Sequence, residues 1–298
     1  MSRVVIVGGS GFIGTKLTEE LLAKGWEVTI VGRSAPKIAN KKLVFFRIDR
    51  TEEISDAEIF NDCTAIINLA GASIGKRWNK EYQQLLYNSR IDTTKSIVAA
   101  IAKANSKPNV LINASATGIY GNRGETVLNE NDSIGFDFLS HLCVDWEKEA
   151  NEAQNFGVRT VLIRTGNVLG DGGLLASLSP LFKIGLGGYF GNGKQIMPWI
   201  HWKDIVGIYL FAIENNIHGA YNACASEQTS QKQLFKAFAK VIHAPFVWSI
   251  PYFAAKLALG NFADALFESQ NISSRKIIDS GYHFLFPHLN RALGDIYK

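Results

Sequence analysis

Three glycines, Gly8, Gly11 and Gly14, recur at intervals of three in the stretch VVIVGGSGFIG, and Gly9, Gly11 and Gly14 also satisfy the spacing GxGxxG. The chemistry open to such a run is anion binding by the main chain. The first glycines permit a tight turn with positive φ, Gly11 lets the backbone approach a diphosphate, and Gly14 lets a following helix pack closely on a preceding strand. A helix beginning at Phe12 and Ile13 presents unpaired N–H groups with the positive end of its dipole behind them. The run is flanked by the β-branched Val4–Val7 and by the amphipathic Phe12–Lys24, which places Ile13, Leu17 and Leu21 on one face and stops at Gly25. In that context the spacing points to a dinucleotide, with a purely structural glycine turn as the alternative.

The end of the second strand selects among dinucleotides. A site for an unphosphorylated ribose carries Asp or Glu about 20 residues past the glycines. Here the sequence is IVGRS, with no carboxylate from Gly32 to Ser34. Arg33 can pair bidentately with a 2′-phosphate and Ser34 can add a hydroxyl, which predicts NADP(H) over NAD(H). The alternative is an arginine that points to solvent. Asp49, after the third strand, is a candidate acceptor for the adenine amino group or a cap for the next turn.

The elements that must position these groups alternate along the chain. Strands are predicted at Val4–Val7, Val28–Val31, Leu43–Phe46, Ala65–Asn68, Val110–Asn113 and Thr160–Ile163, and helices at Tyr82–Ala104 and Phe138–Phe156. This alternation implies an α/β fold with a doubly wound parallel sheet over residues 1–165. Beyond Arg164 a glycine-rich stretch, residues 167–197, reads as a long irregular loop forming a lid or pocket rim. A helix at Asp204–Glu214, a strand at Ala220–Ala223, a helix at Gln231–Val241 with Ser230 as N-cap, and a strand around Phe246–Trp248 follow. Residues 166–298 therefore form a smaller mixed α/β substrate lobe that contributes sheet-completing segments.

Five motifs, VGGSGFIG, NLAGASI, SASATGIYG, RTGNVLG and WIHWKDIVG, recur in this order in the extended short-chain dehydrogenases/reductases, the NAD-dependent epimerase/dehydratase superfamily. The sequence resembles that superfamily over essentially its whole length. NLAGASIGKRW, CVDWEKEA and GGYFGNGKQIMPWIHWKDIVG are similar to its "epimerase family protein" branch, which includes relatives linked to cell division. The resemblance implies a Rossmann sheet with a C-terminal substrate lobe and NADP(H) binding. In NLAG, the loop Leu69, Ala70 and Gly71 would pass over the cofactor, small side chains allowing close approach; the alternative is a tight strand exit without ligand contact.

The superfamily's hydride transfer normally uses a Tyr as acid/base and a Lys four residues on, with a Ser or Thr near the end of the fifth strand. A phenol with pKa about 10 serves near neutrality only beside a cation that favours the phenolate. Aligning that pair on SHLCVDWEKEA gives Cys143 and Glu147, so the spacing is kept and the charge inverted. Glu147 would raise the pKa of a neighbouring thiol, leaving Cys143 a poor acid or nucleophile, or simply a small buried residue. Ser115 and Thr117 are the hydroxyl candidates. Tyr120 belongs to the recurring YG ending and is expected to be a wall of the site. Glu147 could serve as base in an apolar setting, or Lys76 or Arg77 could supply the missing cation. Arg77 beside Trp78 could grip an anionic or planar substrate. Arg164 either reaches that pocket or forms a salt bridge. His201 and Asp204 are expected to brace the junction of sheet and lobe.

The 298 residues carry 31 basic and 27 acidic side chains, a net charge of +4. That charge is too slight and scattered to argue for nucleic acid. Three cysteines far apart, with no CxxC or HxxxH, argue against a metal site and fit reduced thiols. No apolar run reaches the ~18 residues of a membrane span and no signal segment is read, so the expected location is the cytoplasm. The expected ligand is a small molecule. Relatives in the superfamily are often dimers, so the resemblance allows a homodimer, and a protein partner is the expectation only for a regulator. Two functional readings stay open: an NADP(H)-dependent oxidoreductase with atypical acid/base residues, or a silent NADP(H)-binding regulator acting through a protein partner.

Overall fold

A computed structural model describes residues 2–48, 54 and 56–298; Asp49 lies outside the described residues. Seven parallel strands form the central sheet, in the spatial order Gly219–Ala223, Arg159–Thr165, Val110–Ala116, Ala65–Asn68, Arg3–Val7, Glu27–Gly32, Leu43–Arg47. The chain runs outward from the first strand through the second and third, then returns to pair Val4–Val7 with Ala65–Asn68. The order reverses between those two strands, and their C-terminal ends lead directly into Gly8 and Leu69. A crevice outside the carboxyl ends of strands at such a switch point is where open α/β sheets take ligands.

Both faces of the sheet are buried except along the edge strand Leu43–Arg47, where Val44 and Phe46 are exposed, and this burial explains the near-continuous aliphatic inner strands. Val4, Ile6, Ile30, Ile67, Ile112 and Ile163 face one way, against Leu17 and Leu21 of the helix Phe12–Ala23 and Ile205, Ile208 and Ala212 of the helix Trp202–Glu214. Val5, Val7, Val31, Ile66, Leu111 and Leu162 face the other way, against Ile97, Val98 and Ile101 of the helix Lys80–Lys103. That helix starts two residues earlier than its apolar pattern suggests because Asn79 caps it, accepting from Tyr82 N–H at 2.8 Å. The helix Phe138–Asn151 is capped by Asp137 and tightens into a 3₁₀ turn at Glu152–Phe156.

The glycine-rich stretch is not a structureless loop. Asn167–Leu169 pairs with Trp199–His201, Gly173–Lys183 is helical, and Gly188–Phe190 pairs with Trp248–Ile250. The last pairing places that strand two residues later than Phe246–Trp248. Aromatic burial drives the order: Phe182 packs 5.0 Å from Phe238, and both lie in a separate core with Leu175, Trp199, Leu234 and Leu293. The helix Gln231–Val241 presents that apolar face and begins with a reciprocal Ser230–Gln233 capping box. Asp204 accepts from Leu285 and Phe286 N–H at 2.7 and 3.0 Å, and the His201 ring stacks on Phe286 at 4.0 Å, so this motif does brace the C-terminal segment. His201 itself stays neutral near pH 7, burial pulling its pKa down to about 4. Among the described residues no helix is long and apolar enough to cross a membrane.

Candidate functional site

At the switch point the glycine run makes the predicted strand–turn–helix. Gly8 has φ +81°, and a Cβ there would stand 2.8 Å from Ala70 N, so the first turn and the Leu69–Gly71 loop touch through a missing side chain. Gly14 packs on Gly9 so closely that a Cβ would lie 2.6 Å from its Cα. Gly11 is the N-cap, without a side-chain cap bond, and Thr15 N–H to Gly11 O at 2.8 Å is the first helical bond. The N–H groups of Phe12, Ile13 and Gly14 precede it and are the donors an anion would meet. The Phe12 ring is covered by Gly170 and Gly172 of the later segment. Arg33 and Ser34 follow the second strand directly and are exposed, and Gly32 packs beside Ser10 of the glycine turn. An exposed guanidinium, without a partner among the described residues, therefore stands beside the glycine turn.

The loop after the fourth strand is held from beneath. Asn68 Nδ2 donates to Thr94 Oγ1 at 2.9 Å and to Asn113 Oδ1 at 2.7 Å, while its Oδ1 accepts from Ala70 N–H at 3.1 Å. Trp146 Nε1 also donates to Thr94 Oγ1, at 3.0 Å. This web joins two strands and two helices under Ala70. Farther along, Trp78 is buried rather than offered to solvent. Its ring lies 5.0 Å from Phe262 and 5.7 Å from Phe138, and its Nε1 donates to Ile74 O. Arg77 beside it is exposed.

Ser115, Glu147, Arg164 and Tyr120 come together, but as a closed network. Ser115 and Arg164 are paired neighbours on adjacent strands, and both reach Glu147. Arg164 donates from Nε and Nη2 to the two carboxylate oxygens at 2.8 Å each, and Ser115 Oγ donates to Oε1 at 2.6 Å. Arg164 Nη1 donates to Tyr120 OH at 2.9 Å, and that hydroxyl donates to Asn222 Oδ1 at 2.8 Å. Arg164 forms the salt bridge with Glu147 and also lines the cavity beside it. Glu147 is thus neutralised by a bidentate partner rather than left as an inverted charge. Burial pushes the Tyr120 phenol up to about 12, so it serves as an internal hydrogen-bonding post.

Cys143 is buried, and burial first, then Glu147, pushes its thiol up to about 12. It packs with Ile119, Tyr120 and Leu128 as a small apolar residue, the second of its two readings. Thr117 is buried at the start of the turn Thr117–Tyr120. A cavity of about 460 Å³ opens beside Glu147 and Arg164, lined also by Ile134, Val144 and Lys148; it includes none of the glycine-turn residues. Glu147 lines this cavity with its carboxylate engaged by Arg164 and Ser115, while Cys143 is buried with its thiol held protonated.

Sequence reasoning passed over two groups. Arg90 lies 7% exposed beneath Gly71, on a helix face whose other members are Leu86, Thr94 and Ile97; a charge within that stripe was the available signal. Glu268 titrates up to about 7, chiefly through burial and then through Asp137 and Asp264 nearby, and no sequence spacing predicts that meeting.

The glycine turn, the doubly wound sheet and the switch-point crevice define a nucleotide-binding α/β protein of the epimerase type. Residues 4–224 match the model of the NAD dependent epimerase/dehydratase family, and residues 250–296 match a domain of unknown function. Among named relatives, epimerase family protein Mb2239 of Mycobacterium bovis is 38% identical over 98% of this chain and 96% of its own. Epimerase family protein YfhF of Bacillus subtilis is 34% identical over 99% and 97%. The human epimerase family protein SDR39U1, crystallised with NADPH, superposes with a TM-score of 0.87 at 32% identity, covering 99% of both chains. The chain belongs to the NAD-dependent epimerase/dehydratase family.

Proposed function

We propose that the protein is an NADP(H)-dependent oxidoreductase of the epimerase type that acts on a small molecule in the cytoplasm. The observation that carries this reading is Arg33 with Ser34, free at the end of the second strand beside the glycine turn, where an NAD site would place a carboxylate. The solved human relative bound to NADPH supports it. The N–H groups of Phe12, Ile13 and Gly14 would hold the diphosphate, Arg33 and Ser34 the 2′-phosphate, and Ala70 and Gly71 the nicotinamide half. When bound, the dinucleotide supplies or accepts hydride. Thr117, the first residue after the fifth strand, orients the reacting oxygen, since the Ser115 hydroxyl is engaged by Glu147.

The closed Ser115–Glu147–Arg164 network and the buried Cys143 favour a second reading, a cofactor-binding regulator without turnover. Fluorescence titration with NADPH and NADH, followed by an absorbance screen against carbonyl substrates, separates the two: tight binding with no turnover selects the regulator. Arg33→Glu is expected to weaken NADPH by roughly 10- to 100-fold, the range of one or two charge-assisted hydrogen bonds, while changing NADH little. Equal loss for both dinucleotides would refute the 2′-phosphate assignment.

A further inference from the structure

Positive charge is not spread evenly along this chain. Residues 172–203 and 228–263 carry seven lysines and no Asp or Glu. In the rest of the chain the 27 acidic side chains outnumber the remaining 24 basic ones, so the net charge of +4 resides in these two segments. Lys203 pairs with Asp295 and Lys256 with Asp264. The other five, among them Lys183, Lys236 and Lys240, have no acidic partner among the described residues. Lys232, Lys236 and Lys240 recur every four residues along one side of the helix Gln231–Val241, turned away from the buried Leu234 and Phe238.

The same two segments meet at an exposed apolar face. The strand Trp248–Ile250 pairs with Gly188–Phe190, and Trp248 Nε1 donates to Gly185 O at 2.6 Å. A Cβ on Gly185 would stand 3.3 Å from Pro245 and 3.5 Å from Phe246, and the Phe246 and Trp248 rings lie 5.7 Å apart. Around that glycine Leu181, Ile184, Leu186, Phe246 and Trp248 are 46–67% exposed. The helix Tyr252–Leu259 follows the strand and exposes Phe253 and Leu257, which are four residues apart on one helix face. Single exposed apolar side chains are ordinary on a globular protein, but a cluster of this kind marks an interaction surface. Cations stand at its margin. Lys183 precedes Ile184 at the end of the helix Gly173–Lys183, and Lys240 lies in the last turn of the lysine-bearing helix, just before the loop to Pro245 and Phe246.

The chemistry of this face selects its occupant. Its polar tips are already satisfied: the Trp248 indole N–H is held by Gly185 O, and the Tyr252 hydroxyl donates to Asp264 at 2.6 Å. Both rings can therefore leave water without stranding a donor. Branched aliphatic tips suit acyl chains, indole and phenol rings suit the interfacial layer, and lysines at the rim suit lipid phosphates. The high exposure of Ile184 and Leu186 makes them protrusions rather than walls of a groove, which fits a fluid surface better than a shaped one.

We propose that this face of the C-terminal lobe binds the surface of an anionic phospholipid membrane. Ile184, Leu186, Phe246 and Trp248 enter the boundary between headgroups and acyl chains, while Lys183, Lys236 and Lys240 meet lipid phosphates. The chain lies on the bilayer without crossing it; among the described residues no helix is long and apolar enough to cross. The glycine turn contributes none of these residues, so the proposal stands apart from the cofactor reading.

The test is co-sedimentation of the full chain with vesicles of phosphatidylcholine alone and of phosphatidylcholine mixed with phosphatidylglycerol. Wild type should pellet with the mixed vesicles, bind the neutral ones at least about 10-fold more weakly, and loosen from the mixed vesicles as salt is raised. Lys236→Gln with Lys240→Gln should weaken binding to the mixed vesicles by roughly 10- to 50-fold, the effect of two lysines near a charged surface. Ile184→Ser with Phe246→Ser should weaken it by roughly 10-fold or more through lost apolar contact. All four positions are exposed, so both pairs should melt within about 2 °C of wild type. Wild type that pellets with neither vesicle, or equally with both, overturns the proposal. Undiminished binding by both variant pairs overturns it too, because the lipid contact then lies elsewhere. Wild type that ignores vesicles but binds polyglutamate assigns the lysines to an acidic polypeptide, and a dimer in analytical ultracentrifugation that Ile184→Ser with Phe246→Ser splits assigns the apolar face to a second copy; either result refutes the membrane. Should the serine pair fail to fold, the two vesicle compositions and the lysine pair decide.

Discussion

Glu147 and Arg164 show how far a side chain's role depends on what the fold sets across from it. Spacing alone places Glu147 where a lysine is expected, and that placement was readable. Its neutralisation was not, because Arg164 arrives from the strand Arg159–Thr165 and meets the helix residue bidentately only once the sheet has formed. Glu147→Gln leaves that guanidinium buried and unpaired, and should destabilise the fold by about 3–5 kcal/mol in urea unfolding. The double change Glu147→Leu with Arg164→Met should recover much of that loss, because two charges no longer need desolvating. A loss below about 1 kcal/mol for Glu147→Gln would mean the pair behaves as a surface contact. Cys143 was legible as a small buried residue, since a thiol flanked by apolar positions on a helix face is usually packing. Arg90 was legible only as an anomaly within an apolar stripe.

At the level of elements, the β-branched runs and the amphipathic helices of the first two-thirds stand where their periodicity puts them. A strand covered on both faces and a helix with one buried face each leave a strong pattern. The stretch from 167 to 197 misled because its strands are three residues long and its helix carries Pro180, so neither period accumulates. Long-range aromatic packing orders it instead. The glycine turn tests two kinds of closeness separately. Gly14→Val drives a side chain into the Gly9 backbone and should lower the melting temperature as well as NADPH affinity, because the helix must lift off the turn. Gly11→Ala meets only Gly8 O, at 3.6 Å, and should melt within about 2 °C of wild type while losing NADPH affinity. Parallel melting curves for the two variants would remove the distinction.

Across the whole molecule, the late segment and the early sheet meet through groups from distant parts of the chain. Glu268 belongs to the C-terminal portion and feels Asp137, the cap of the Phe138–Asn151 helix. Its pKa is raised from 4.5 to about 7 on folding, so protonation favours the native state. This contribution is complete below pH 4.5 and is lost as pH rises through about 7. The melting temperature should therefore fall by a few degrees between about pH 5.5 and 8 through this group, and Glu268→Gln should flatten that fall. An unchanged slope in the variant would place the dependence elsewhere.

The seventh strand, Gly219–Ala223, also has a consequence during synthesis. It pairs with Arg159–Thr165, yet the helix Gly173–Lys183, the strand Gly188–Phe190 and the helix Trp202–Glu214 must all leave the ribosome before it does. Throughout that interval the nascent chain exposes an aliphatic edge with open N–H and C=O groups, the kind of template on which unfinished polypeptides cluster. Translation halted between residues 166 and 218 would release a fragment with that edge uncovered, prone to cluster with others like it.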